Sequence, residues 1–109
     1  MMRKVLTPTK AALRAHVIKS LAHPSRIQMV DALSGGEMCV CDLTKVVGAD
    51  MSTVSKHLTV LKSAGLVSVE KRGLNQFYRL NCQCLTEFFC CVDSINAQHT
   101  RALQEACCE

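Results

Sequence analysis

The chain has 109 residues, a net charge of +4, and 49% apolar but only 4% aromatic residues. This is the size of one domain, 1–109, with a mainly aliphatic core. It leaves little room for a deep catalytic cleft, and no nucleophile, base and orienting residue stand at a spacing that argues for an enzyme. No apolar run approaches the ~20 residues of a membrane span and no secretory leader pattern occurs. The eight cysteines are therefore read as cytoplasmic thiols for metal or redox chemistry, not as a disulfide framework.

In chain order, Leu13, Val17 and Leu21 recur every four residues and predict a first helix over 9–22. His23-Pro24-Ser25 ends it, and Pro24 suits the first position of a second helix whose inner face is Ile27, Val30 and Leu33. Ser34-Gly35-Gly36 stops that helix. Val40, Leu43 and Val47 stripe a short third helix closed by Gly48. Asp50 caps a fourth helix, where Val54, Leu58 and Leu61 share one face and Gly65 marks the C-terminal end. From Leu66 to Leu80 the period becomes two, with strands over 66–70 and 76–80 joined by an Arg72-Gly73-Leu74-Asn75 turn. The expected fold is mainly α with a small β-hairpin, a winged helix-turn-helix.

The tail reads differently. Over 84–108, Leu85, Phe88, Val92, Ile95, His99, Ala102 and Ala106 alternate at spacings of three and four, the seam of a long helix. Such a stripe on a small domain is expected to bury itself against a second copy, giving a homodimer joined through terminal helices. Charge supports a division of surfaces. Residues 1–30 hold six cations and no acid, residues 51–80 five cations against Glu70, and residues 81–109 one cation against four acids. The basic part suits nucleic acid and the acidic tail a separate interaction surface.

The cysteines fall in close pairs: Cys39/Cys41, Cys82/Cys84, Cys90/Cys91 and Cys107/Cys108. Thiolates select soft or thiophilic ions over magnesium or calcium. In a regular helix residues i and i+2 point about 200° apart. Cys39 and Cys41 therefore hold one ion only where the backbone leaves helical form, and an ion there would act on the helix that supports the fourth. The plainer reading makes Cys41 a small packed residue and Cys39 a surface thiol. Cys90/Cys91 and Cys107/Cys108 flank His99 and stand about 25 Å apart along a straight helix, too far to share an ion. Either these pairs meet across an antiparallel dimer, or Cys107 and Cys108 supply a third thiol to Cys39 and Cys41. Cys82-Gln83-Cys84 at the hairpin exit is a further candidate pair.

Two segments, Cys39-Val40-Cys41-Asp42-Leu43 and Ser52-Thr53-Val54-Ser55-Lys56-His57-Leu58, lie in the run from Leu21-Ala22-His23-Pro24 to Phe77-Tyr78-Arg79-Leu80. Together they resemble the ArsR/SmtB family of metal-sensing bacterial repressors, the first segment its arsenic-responsive branch. The resemblance implies a cytoplasmic, dimeric repressor of a bacterium or archaeon, bound to an imperfectly palindromic double-stranded operator of resistance genes. It implies release by As(III) or Sb(III), with Cd(II), Pb(II) or Zn(II) as other inducers, and neither a membrane nor a small organic substrate as partner. It also places the start of the fourth helix in the major groove. Ser52, Thr53, Ser55 and His57 then meet base edges, Lys56 and Lys62 meet phosphates, and Arg72, Asn75 and Gln76 form wing contacts.

The chain departs from the family in three places. Thr44 stands where some arsenic repressors have a third thiol, and no cysteine precedes Cys39. The acid and histidine that open a zinc or nickel site on the family's last helix align with Cys82 and Cys84, and that site's partner histidines align with Ile95 and Gln98. The competing signal is oxidative, with thiols closing to a disulfide or forming persulfides. A thiol oxidoreductase is not supported, because no Cys-x-x-Cys occurs.

Overall fold

The computed structural model describes residues 5–107, with side chains through residue 102. Helix α1 (Pro8–Leu21) opens on Thr7, whose hydroxyl accepts the Lys10 N–H at 3.2 Å. Helix α2 (Pro24–Leu33) is capped by His23, whose Nδ1 accepts the Ser25 N–H at 3.1 Å. A two-residue strand β1 (Met38–Cys39) leads directly into α3 (Val40–Val47), which ends at Gly48 in the left-handed region, φ 73°. Helix α4 (Met51–Ser63) is capped by Asp50, which accepts the Thr53 N–H at 2.8 Å. Strands β2 (Val67–Arg72) and β3 (Asn75–Leu80) form the wing, and α5 (Leu85–Cys107) ends the described chain. The fold is a winged helix-turn-helix.

The core is aliphatic, as the composition requires. Met29, Val30, Leu33, Leu43, Val54, Leu58 and Leu61 are fully buried, and Leu21, Leu66, Val67, Tyr78 and Leu80 close the cluster. The third- and fourth-helix stripes pack inward as expected. On α2 the inner face is Met29, Val30 and Leu33, whereas Ile27 is 40% exposed. At 100° per residue Ile27 lies about 115° round the helix from the centre of that arc. Leu13 is likewise exposed, because a spacing of four drifts ~40° per step and only the C-terminal end of α1 reaches the core.

The sheet differs from a simple hairpin. Its order is β1-β3-β2, all antiparallel, with Met38 opposite Tyr78 and Cys39 opposite Phe77. Strand β1 is too short to show a period in sequence. The wing turn falls at 72–75 as expected, with Gly73 and Leu74 at the tip, but the strands run further, so that Arg72 pairs with Asn75. Gly73 takes φ 62°, which a side chain would disfavour. No helix among the described residues is long and apolar enough to cross a membrane.

Candidate DNA interface and thiol site

The Asp50 cap fixes the start of α4, and Thr53 in turn holds the Asp50 carboxyl below the usual carboxylate range through its hydrogen bonds. Val54, Leu58 and Leu61 anchor the inner face. Ser52, Thr53, Ser55, Lys56 and Lys62 are left on the solvent side, all exposed. Asn75 and Gln76 are exposed at the wing, beside a fully exposed Leu74. These are the candidate DNA-facing groups that the structure leaves available.

His57 is placed otherwise. It is half-buried, its ring centroid is 4.4 Å from that of His23, and its Nδ1 lies 3.2 Å from Arg26 Nη1. A guanidinium only donates, so Nδ1 accepts and the ring proton sits on Nε2. Burial, then the neighbouring His23 and Arg26, pushes the His57 pKa down. Arg26 completes the junction by donating Nε to the Ser20 carbonyl at 2.6 Å. His57 thus bolts α4 to the start of α2 instead of facing outward with Ser55 and Lys56.

Arg72 is also engaged. Its guanidinium pairs with Glu37 through both terminal nitrogens, the second at 3.0 Å, bonds Glu70 at 2.8 Å, and lies 4.8 Å over the Phe77 ring. This cluster ties the loop before β1 to the wing. Among the neighbouring cations, Lys71 stays exposed and faces the thiol site.

The thiol pair is shaped by β1. Cys39 has φ −81° and ψ 163°, extended and outside α3, while Cys41 lies in the first helical turn. Pairing with Phe77 holds Cys39 in extended backbone, outside the helix. Both residues consequently border one cavity of about 300 Å³, together with Met51 and Ser55 of α4 and Lys71, Leu74, Asn75 and Gln76 of the wing. Two soft donors at its wall fit a thiophilic ion better than a hard one. Among the described residues no three His, Cys, Asp or Glu side chains gather as a metal site. Cys108 and the side chain of Cys107 lie outside the described residues.

Sequence reasoning did not single out Met51, Lys71 or Leu74 as lining the thiol site. Strand alternation was the available signal for Lys71, which stands opposite Gln76 at the wing end. Of the remaining cysteines, Cys90 and Cys91 are exposed on α5, and Cys82 and Cys84 adjoin each other before it.

Comparison with known proteins agrees with this architecture. Residues 23–69 match the family described as bacterial regulatory protein, arsR family. An arsenical resistance operon repressor of Staphylococcus aureus is 32% identical over 87 residues, covering 80% of this chain and 84% of the repressor. A homolog of a cadmium resistance transcriptional regulatory protein from the same species is 35% identical over 68 residues, covering 62% of this chain and 56% of that one. The solution structure of a homodimeric winged helix-turn-helix domain from Mycobacterium bovis superposes with a TM-score of 0.71 at 31% identity, covering 92% of this chain and 95% of that domain. The chain spans 41% to 62% of the length of three further relatives it matches.

Proposed function

Because the chain belongs to the arsR family of bacterial regulatory proteins, we propose that this transcriptional repressor works as a homodimer and leaves its operator when As(III) or Sb(III) binds Cys39 and Cys41. The observation that carries this reading is the shared cavity: both thiols line the same space as the first turns of α4 and the wing tip. Two condensations of arsenous acid with thiols release two waters and leave a neutral As(III) centre bonded to both sulfurs and one remaining hydroxyl, which a third thiol can displace as water. Cys39 and Cys41 would then be pinned to one centre between Ser55 and Gln76. A ligand shifts a conformational equilibrium only by its differential affinity for the two states. Here that difference arises because the bound group fills the gap between the two DNA-contacting elements and pulls on the first turn of α3.

Arsenite favours three sulfur ligands, and in this reading Cys107 or Cys108 supplies the third. Two thiols by themselves would also accept cadmium, lead or zinc, which therefore belong in the same test. The working place is the cytoplasm, where thiols stay reduced.

The dimer reading rests on α5 with the neighbouring parts of α1 and α2. Ile18, Ile27, Phe88, Val92 and Ile95 are all exposed apolar residues, and Ile18, Ile27, Phe88 and Val92 line one apolar groove. The radius of gyration is 17.4 Å, against about 13 Å for a compact domain of this length. A second copy laid along these helices would cover the face, as the Mycobacterium bovis relative is itself homodimeric.

The test is fluorescence anisotropy of the reduced, full-length protein on DNA from its own promoter, titrated with arsenite, antimonite, cadmium, lead and zinc. Arsenite should release the wild type and leave Cys39→Ser/Cys41→Ser bound. Release that survives in that variant would overturn the site. Loss of release in Cys107→Ser/Cys108→Ser would identify the third thiol. Release by an oxidant but by no ion would replace the metalloid signal with a redox one.

A further inference from the structure

We propose that Cys82 and Cys84 form a redox-active dithiol at the junction of the wing and α5, closing to an intramolecular disulfide on reaction with low-molecular-weight disulfides. The proposal does not rest on ion binding by Cys39 and Cys41. The two sulfurs lie 2.6 Å apart, so closure to a covalent bond of ~2.04 Å needs only about 0.6 Å of approach. This closeness is not a default of the chain. Residues i and i+2 point about 200° apart in a helix and stand about 6.6 Å apart along a strand. Here the two residues fall in the short turn between Leu80 of β3 and Leu85 of α5, where neither regular geometry applies.

The surroundings separate the two thiols chemically. The contact with the Cys84 thiol first, then the backbone N–H groups of Cys84 and Leu85, holds the Cys82 thiol below its usual range. The same contact pushes Cys84 up. The start of a helix adds to the preference for thiolate at Cys82. Cys84 is exposed and Cys82 partly so, which admits a small reagent. Cys90 and Cys91 have no such arrangement: they are consecutive residues within regular α5.

The sequence of steps balances. The Cys82 thiolate attacks one sulfur of a small disulfide, forming a mixed disulfide and expelling one thiolate. Cys84 loses its proton and attacks Cys82 Sγ, forming the Cys82–Cys84 bond and expelling the second thiolate. Two electrons pass from the protein dithiol to the reagent. The new bond lies beside Asn81, whose side chain bonds Ser68 at 2.8 Å and the Gly65 carbonyl at 3.0 Å. Oxidation therefore acts on the link between the wing base and the start of α5, where Leu85 and Phe89 pack against the core.

The experiment uses full-length Cys90→Ser/Cys91→Ser, so that the tryptic peptide 80–101 contains only these two cysteines. The protein is equilibrated with reduced and oxidised glutathione, alkylated and analysed by mass spectrometry. The expected product is peptide 80–101 lighter by two hydrogens and free of alkylation, fully reversed by excess reduced glutathione. Adding Cys84→Ser should stop the reaction at a glutathione adduct on Cys82. The proposal is overturned if both thiols stay alkylatable while Cys39 and Cys41 are oxidised. It is also overturned if the pair ends only in mixed disulfides or in disulfides between chains. Peptide mapping of the wild type under the same conditions checks that the serines have not created the behaviour.

Discussion

His57 of α4 accepts a hydrogen bond from Arg26 of α2, with 3.2 Å between Nδ1 and Nη1. The contact joins residues 31 positions apart and requires a neutral imidazole. His57 has its pKa lowered from 6.5 by burial and by His23 and Arg26. In the window between that lowered value and 6.5 the unfolded chain binds the proton more readily than the folded one, so stability rises with pH there. The thermal midpoint should be level above about pH 7 and fall as pH drops through 6.5 and the lowered value. His57→Gln, which keeps an acceptor but no titratable ring, should flatten that slope. An unchanged slope in the variant would remove His57 as the source.

The core offers a stability prediction tied to the same helix. Leu58 is fully buried one position after His57. Leu58→Ala should cost about 2–5 kcal/mol, as buried leucine truncations do. In urea the midpoint should fall with little change in slope, since the surface exposed on unfolding barely alters. A loss under ~1 kcal/mol would mean that neighbouring side chains collapse into the space.

On the exposed face, Lys62 should contact phosphate and Ser55 a base edge. Lys62→Ala should weaken binding to all sequences alike and reduce the salt dependence by about one unit of log–log slope. Ser55→Ala should instead alter the preference among operator variants and leave the salt slope in place. Anisotropy titrations at several salt concentrations separate the two outcomes.

Ile95 is 64% exposed on α5. In the proposed dimer it is covered, so Ile95→Glu places a charge in an apolar seam. Sedimentation velocity should show a shift to monomer, and operator affinity should fall because two half-sites are no longer read together. A dimer of undiminished stability would put the interface elsewhere.

Arg72 illustrates how a surface cation can be committed. With Glu37, Glu70 and Phe77 around it, it braces the wing. Glu37→Gln should weaken that brace, and hydrogen exchange of the β2 and β3 amides should quicken relative to the wild type. Unchanged exchange would show that the strand pairing holds the wing without it.

By itself the sequence determined the elements whose signals are local. The stripes Val54-Leu58-Leu61 and Val40-Leu43-Val47, the Asp50 cap, the Gly48 stop and the wing alternation each lie within one or two turns of chain, where period and capping chemistry are readable. It also identified the soft-ligand character of Cys39 and Cys41, because that follows from residue type. What only the tertiary structure decided are relationships between residues far apart in sequence. The pairing of Cys39 with Phe77 keeps Cys39 extended, and both cysteines open onto the wing. Arg26 turns His57 inward, and Glu37 claims Arg72. The approach of Cys82 to Cys84 spans only two residues, yet it was equally hidden, since it depends on the path of an irregular turn between two packed elements. Local propensity sets which way a side chain points on its own helix or strand. The groups it meets are set by how those elements pack, and no short window of sequence contains that.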